Sequence, residues 1–207
     1  DSLRYNTAFK NVYFISKTNI KTQNGSIDTK SGTYNLSTGE AIFFDKTIIR
    51  DSSRYISGNK VAFDEKSNSI QIEDNGKFVD SANKVIVLGN QILIDKKNNT
   101  FLATRKPVMI LYQKNDSTYI SADTLFSGKS MKVKDSIVNI NDTINRPTAI
   151  NTNKETTDSI RYFIGFHHVR IFNDSVQAVS DSLHYSTLDS TFKLFNNPVC
   201  WNNNTQL

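Results

Sequence analysis

The 207-residue chain contains one cysteine, three prolines and eight glycines. The single thiol, Cys200, cannot form an intramolecular disulfide, which excludes a small fold held together by disulfide bonds. The low proline and glycine contents exclude a collagen-like or linker composition. The longest apolar runs resemble Val85-Ile86-Val87-Leu88, far short of the roughly 18 to 20 apolar residues that a membrane-spanning helix needs.

The composition instead favours β strands around a buried core. Thirteen phenylalanines and eight tyrosines accompany a hydrophobic content of 37%, and aromatic side chains fit the pleated surface of a sheet. The net charge of +5 comes from basic residues scattered among aspartates, so the preference for anionic surfaces is weak. The first residues, Asp1-Ser2-Leu3, contain neither an initiator methionine nor a signal peptide, which is typical of a mature segment.

A repeat of about 29 residues runs along most of the chain. Its anchor positions, at 5, 34, 63, 94, 127 and 185, are separated by 29, 29, 31, 33 and 58 residues. A residue two positions before the anchor is usually apolar, and a second apolar pair follows seven and nine residues after it. Because residues two apart share one face of a strand, the pattern predicts strands with a common inner face.

A third apolar pair follows the anchor by about 14 and 16 residues, as in Val108 with Ile110 and Val199 with Trp201. Polar turn formers such as Asp95-Lys96-Lys97-Asn98-Asn99 separate the pairs. Each unit is therefore predicted to be strand, turn, strand, turn, strand. No segment sustains the apolar spacing of an amphipathic helix.

The stretch at about 128–160 interrupts the repeat and is rich in aspartate, asparagine, threonine, lysine and serine. This composition predicts an inserted polar loop, and a long loop adds little to the entropy of closure. The repeat resumes at Phe163-Ile164-Gly165-Phe166. We therefore expect a single repeat domain over residues 1–207.

Several segments of the repeat resemble the repeat of the OstA/LptA family. They are Tyr119-Ile120-Ser121-Ala122-Asp123-Thr124-Leu125, Val179-Ser180-Asp181-Ser182-Leu183-His184-Tyr185 and Tyr34-Asn35-Leu36-Ser37-Thr38-Gly39-Glu40-Ala41. Units of that family read as a small residue, aspartate, an apolar residue and tyrosine, followed by a Thr-Gly turn and a strand. The resemblance covers nearly the whole chain apart from the insertion. It implies an all-β, open, stacked jelly-roll or solenoid-like array with a taco-shaped cross-section.

The resemblance also implies a function without catalysis. Family members hold the lipid A acyl chains of lipopolysaccharide in an apolar interior and carry the lipid across the periplasm toward the outer membrane. The implied partners are lipopolysaccharide, other transport components and like domains that pair through end strands. The implied location is the periplasm of a Gram-negative bacterium, with or without outer-membrane association.

The residues expected to bind lipid are the apolar members of the inner face. They are Tyr5, Phe14, Tyr34, Phe43, Val61, Phe63, Ile70, Ile72, Ile92, Ile94, Phe101, Ile110, Leu125, Leu183, Tyr185, Phe192 and Leu194. Periodicity leaves two alternatives open. One is a structural or adhesive cell-surface β-solenoid with a closed core, and the other is a glycan-active β-helix enzyme with carboxylates converging on one outer face.

The sequence predicts no catalytic residue, metal site, cofactor or nucleic-acid contact. His167 and His168 are neighbours in a predicted strand, so their side chains point to opposite faces and do not converge on a metal. Cys200 is expected to face away from Val199 and Trp201, without a base to activate it. Glycine-rich phosphate loops are missing, and the basic residues form no stripe.

Overall fold

The computed structural model describes residues 2–23, 25–112, 116–131, 159–202 and 205–206. Strands dominate these ranges, and none of the described residues is helical. Within the same ranges, no helix is long and apolar enough to cross a membrane. The predicted all-β class is confirmed. The strands are β1 Leu3–Asn6, β2 Asn11–Phe14, β3 Thr18–Thr22, β4 Gly25–Thr29, β5 Ser31–Asn35, β6 Glu40–Asp51, β7 Arg54–Asp64, β8 Ser69–Asp80, β9 Val85–Asp95, β10 Thr100–Thr104, β11 Val108–Tyr112, β12 Ser117–Ser121, β13 Thr124–Met131, β14 Ser159–Phe172, β15 Val176–Ser186, β16 Thr191–Phe195, β17 Val199–Asn202 and β18 Thr205–Gln206.

Six long antiparallel strands each contribute one half to a first β wall and the other half to a second. Each shorter strand lies entirely in one of the two walls. Register shifts mark the division in the pairs β6–β7, β7–β8, β8–β9 and β14–β15. We call the line along which the strands divide the corner. The first wall comprises β1, β2, β5, β10, β13, β16 and residues 40–44, 60–64, 69–73, 91–95, 159–166 and 182–186. The second wall comprises β3, β4, β11, β12, β17, β18 and residues 47–51, 54–58, 76–80, 85–89, 169–172 and 176–180.

Left-handed backbone residues recur along the corner. The first is Asp45, with φ of 57°, and the others are the doublets Asp74-Asn75, Arg105-Lys106, His167-His168 and Asn196-Asn197. Positions 45, 74, 105, 167 and 196 are separated by 29, 31, 62 and 29 residues, which matches the repeat of the anchors. Asparagine, aspartate and histidine are the residues other than glycine that most often adopt this conformation. The corner is therefore a second signature of the repeat.

Three continuous ladders of paired residues line the space between the walls. The anchor ladder runs through Tyr5, Val12, Tyr34, Ala41, Phe63, Ile70, Ile94, Phe101, Ser127, Phe163, Tyr185 and Phe192. The second ladder of the first wall runs through Leu3, Phe14, Gly32, Phe43, Val61, Ile72, Ile92, Ala103, Leu125, Gly165, Leu183 and Leu194. The ladder of the second wall runs through Ile20, Ile27, Ile49, Ile56, Phe78, Val87, Met109, Ile120, Ile171, Ala178 and Cys200.

The walls close on each other in the middle of the stack, which corrects the expectation of an open array. Val61, Ile72 and Ile92 of the first wall have no exposed surface, and neither does Val87 of the second. All four belong to one hydrophobic cluster that spans both walls. The strands β9, β10, β13, β14, β12 and β11 pair in a closed ring through this region.

The expectation that Ile110 faces the interior is wrong. Met109 has no exposed surface, whereas Ile110 is only partly buried and lies on the outer face. The reason is that the buried positions remain odd-numbered on both sides of the corner, at Ala103, Pro107 and Met109, although Arg105 at the corner itself is exposed. Cys200 was likewise expected to face outward, but it pairs with buried Ala178 and packs against the core.

The neighbours Met109 and Ile110 provide a matched test of this placement. Met109→Ala should lower the free energy of unfolding by about 2 to 5 kcal/mol, because it removes a fully buried side chain and leaves a cavity. Ile110→Ala should cost about 1 kcal/mol, since its side chain is already partly in water. Urea unfolding monitored by circular dichroism measures both values. Equal losses, or a larger loss for Ile110→Ala, would contradict the assigned register.

Candidate lipid-binding clefts

Two clefts open along the edge where the turns at the ends of the two walls meet. We call this edge the seam; along it Arg54 and Phe78 of the second wall lie against Asn99 and Phe101 of the first. The first cleft has a volume of about 360 Å³, and its floor is formed by Ile27, Ile49, Phe63 and Ile70. The second has a volume of about 440 Å³, and its apolar wall is formed by Leu111, Phe163 and Tyr185. Both volumes fall in the range of roughly 300 to 1,000 Å³ that is typical of small-molecule sites.

The residues expected to bind lipid divide into three groups by exposure. Ten are buried in the closed interior, namely Phe14, Phe43, Val61, Ile70, Ile72, Ile92, Ile94, Phe101, Leu125 and Leu183. Six are partly buried, namely Tyr34, Phe63, Ile110, Tyr185, Phe192 and Leu194. Tyr5 is 47% exposed. Of the whole set, only Phe63, Ile70 and Tyr185 line a cleft.

Sequence reasoning missed several cleft residues. Ile49 lies 15 residues after the anchor Tyr34, between the spacings of about 14 and 16 that define the third apolar pair. The alternation through Phe43 and Thr47, both buried, is the signal that would have selected Ile49. Leu111 was missed because the spacing assigned Val108 and Ile110, rather than Met109 and Leu111, to the inner face of β11. Which residues line the clefts therefore depends on which face of each second-wall strand points inward. The anchor positions, which lie in the first wall, do not specify that face.

Charged side chains surround the first cleft. Arg50 and Lys96 lie at its rim, and Lys96 Nζ lies 5.4 Å from the centre of the Phe63 ring. Tyr34 Oη donates a hydrogen bond to Glu65 Oε1 at 2.8 Å, and this bond raises the pKa of Tyr34. The cleft thus combines an apolar floor with a rim of mixed charge, in which Arg50 and Lys96 lie beside Asp51 and Glu65. Arg50 also forms a salt bridge with Asp28.

The walls meet at the seam between the two clefts. Arg54 Nη2 of the second wall donates a hydrogen bond to Asn99 Oδ1 of the first wall at 3.2 Å. Below this contact the rings of Phe78 and Phe101 lie 6.2 Å apart. Only about 20 Å³ of space is left here, between Lys96 on the side of the first cleft and Arg161 on the side of the second. This bridge separates the clefts.

The two adjacent histidines bind different aspartates at the corner. His167 Nδ1 lies 3.0 Å from Asp181 Oδ1, and His168 Nδ1 lies 2.8 Å from Asp123 Oδ2. The hydrogen bond to Asp181 raises the pKa of His167, and the same bond lowers the pKa of Asp181 to about 2. The described residues contain no group of three metal-binding side chains. These contacts tie neighbouring strands together at the corner.

The ends of the stack expose their inner residues. Leu3 and Tyr5 of β1 are 56% and 47% exposed, although both belong to inner ladders. At the other end, Phe192 and Leu194 of β16 are partly buried. The described residues pair β1 with β2 alone and β16 with β15 alone. Both strands therefore present an edge that can accept another strand.

The chain is similar in structure to a solved periplasmic protein. No protein-family model and no curated protein sequence matches the chain. LptH from Pseudomonas aeruginosa is described as the LptA homologous periplasmic component of the lipopolysaccharide transport device. It is similar to this chain at 7% sequence identity with a TM-score of 0.48, and the match covers 70% of this chain and 82% of LptH.

The contact between His167 and Asp181 predicts a pH-dependent contribution to stability. Because the folded-state pKa of His167 is raised, this contribution is complete below the unfolded value of about 6.5 and is lost as the pH rises through the folded value. His167→Gln should therefore lower the free energy of unfolding more at about pH 5.5 than at about pH 9. Denaturant unfolding at both pH values measures the difference.

His184 provides the matched control for removing an imidazole, since it stacks on Tyr162 rather than contacting a carboxylate. A loss in His167→Gln that is the same at both pH values, or larger at the higher one, would disprove the coupling to Asp181.

Proposed function

We propose that this chain binds lipopolysaccharide without catalysing a reaction, by holding acyl chains in the clefts between its two walls. The observation that carries the proposal is the first cleft, in which an apolar floor of Ile27, Ile49, Phe63 and Ile70 lies beneath Arg50 and Lys96. The apolar floor matches the hydrocarbon tails of an amphiphile, and the rim is of mixed charge, with Arg50 and Lys96 beside Asp51 and Glu65. Each methylene moved from water to such a floor contributes about 0.8 kcal/mol.

The closed middle of the stack decides where the lipid binds. Val61, Ile72 and Ile92 have no exposed surface, so acyl chains reach the apolar interior through the clefts. Binding of several chains at once requires the walls to separate at the seam, where they touch through Arg54 and Asn99. The proposal therefore places the first contacts at Ile49 and Phe63, which are partly buried.

The proposal extends to transport across the periplasm toward the outer membrane, by a single repeat domain. The insertion expected at about 128–160 begins later and ends earlier than that, because residues 128–131 belong to β13 and residues 159–160 to β14, and the remainder lies outside the described residues. Two features support the proposed transport. The repeat resembles that of the OstA/LptA family, and the exposed edges of β1 and β16 offer pairing sites to a like domain or to another transport component. Pairing of end strands would join the inner ladders of two domains into one apolar path.

The closed core also favours a second candidate, a structural β module with no ligand. An interior as tightly packed as that around Val61, Ile72 and Ile92 is what a purely structural stack requires. The two candidates differ in one respect. A structural module has no reason to capture lipid at the clefts.

Photo-crosslinking at the clefts tests the proposal. A benzoylphenylalanine at Phe63 or Ile49 should capture purified lipopolysaccharide, whereas the same group at Leu102, on the outer face of the first wall and 38% exposed, should capture none. The lipid-linked band is detected by immunoblot. Retention of the circular dichroism spectrum establishes that each variant is folded.

Absence of labelling in folded Phe63 and Ile49 variants would favour the structural module. Equal labelling at Leu102 would mean that the lipid adheres to the protein without a specific site.

A further inference from the structure

The seam brings three cations together between the walls. Arg54, Lys96 and Arg161 line the small space that separates the two clefts, together with the carboxylates of Asp80 and Asp95. Asp95 accepts hydrogen bonds from the backbone nitrogen and the Nδ2 of Asn98 at 3.0 and 2.6 Å. Lys129 lies directly opposite Arg161 in the pairing of β13 with β14. Since Lys129 and Arg161 are each two residues from an anchor-ladder position, Ser127 and Phe163, they share the inner face with that ladder. Like charges placed directly opposite each other across two strands are destabilising.

The carboxylates nearest to these cations are engaged elsewhere. Asp80 is buried, and its two oxygens accept hydrogen bonds from the backbone nitrogen and the Nδ2 of Asn83 at 3.1 and 2.7 Å. Asp51 Oδ1 accepts hydrogen bonds from the backbone nitrogens of Ser53 and Arg54. Among the described residues, Arg54, Lys96 and Arg161 form no salt bridge.

Arg161 also has a buried donor without a partner. Its Nη1 donates a hydrogen bond to Ser127 Oγ at 3.2 Å, but its Nε is buried and has no acceptor among the described residues. A buried donor left without an acceptor is costly. Burial lowers the pKa of both Arg161 and Lys96. The charge of Asp80 opposes this shift at Arg161, the charge of Asp51 opposes it at Lys96, and the smaller effect of Arg54 adds to it at both. The three cations therefore share this point with carboxylates whose oxygens are already hydrogen-bonded, and Arg161 has hydrogen-bonding capacity to spare.

We propose that the seam binds a phosphate-type oxyanion between Arg54, Lys96 and Arg161. Guanidinium groups present forked donors that match phosphate oxygens, and a bound anion would accept from the free Nε of Arg161. The space of about 20 Å³ between the walls holds about one water molecule, so the anion binds as the walls separate at the seam. The same chemistry is offered by free phosphate and by the phosphorylated head of an amphiphile. Assignment to a head group rests on the function proposed above, because it places the head at the seam and the tails in the clefts on either side.

The test compares phosphate-dependent binding in the full chain and in variants. Inorganic phosphate should raise the midpoint of thermal unfolding of the wild-type protein, and Arg161→Gln or Arg54→Gln should abolish this rise. Lys77→Gln is the matched control, because Lys77 is an exposed cation on the outer face of the second wall. Arg161→Lys retains the positive charge but lacks the forked donors of a guanidinium group. It should therefore retain only part of the phosphate-dependent rise in the midpoint of unfolding.

A second arm distinguishes the source of the anion. Wild-type protein should bind purified lipopolysaccharide at least tenfold more tightly than the same lipid after chemical removal of its phosphates, and Arg161→Gln should lose this preference. A response to inorganic phosphate without such a preference would assign the site to free phosphate.

The failures of the two proposals can be told apart. If both forms of the lipid bind equally and inorganic phosphate has no effect, the oxyanion site is disproved while lipid binding at the clefts stands. If neither form of the lipid binds, the proposed function fails, and the response to inorganic phosphate alone decides whether the seam is an anion site. A response that survives in folded Arg161→Gln and Arg54→Gln would also overturn the site.

Discussion

The alternation of side chains along each strand is the constraint on which this fold depends. Only one face of every strand can point between the walls, and the ladders that line that space are continuous from β1 to β16. The alternation must also survive the corner, where the backbone adopts left-handed conformations at doublets such as Asp74-Asn75. In β8 it does, because Ile72, Gly76 and Phe78 are all buried. A strand that lost its phase there would turn its apolar residues to solvent.

The closure of the middle and the chemistry of the seam have a common origin. Contacts such as that between Phe78 and Phe101 bring the walls together, which leaves apolar surface within reach of a ligand only at the two clefts. The same closure brings the turn ends of the walls together, so that long side chains from both walls share one narrow space. Arg54 and Arg161 are half-buried there for this reason. The clefts and the cluster of charged side chains at the seam are thus two results of one packing arrangement.

The sequence predicted the first wall well and the second wall poorly. Anchor spacing and alternation identified the inner face at Val61, Phe63 and Leu183, because each wall unit repeats the same local pattern. The phase of β11 was mistaken because Val108 and Ile110 are as apolar as Met109 and better strand formers. The clefts and the seam could not be predicted from spacing, since they join residues far apart in the chain. Arg54 and Asn99, which bridge the walls, are 45 positions apart.

The exposed inner residues at the ends of the stack have a consequence for its dimensions. Each repeat adds two strands to a wall, or about 10 Å of length at the usual spacing between strands, and leaves the cross-section unchanged. In the outermost layer that the structure describes at this end, Leu3 and Tyr5 are exposed apolar side chains rather than a polar cap, so these two residues do not limit further stacking. The architecture therefore separates two properties that most folds couple. The repeat unit sets the width of the interior, and the number of units sets the distance it spans.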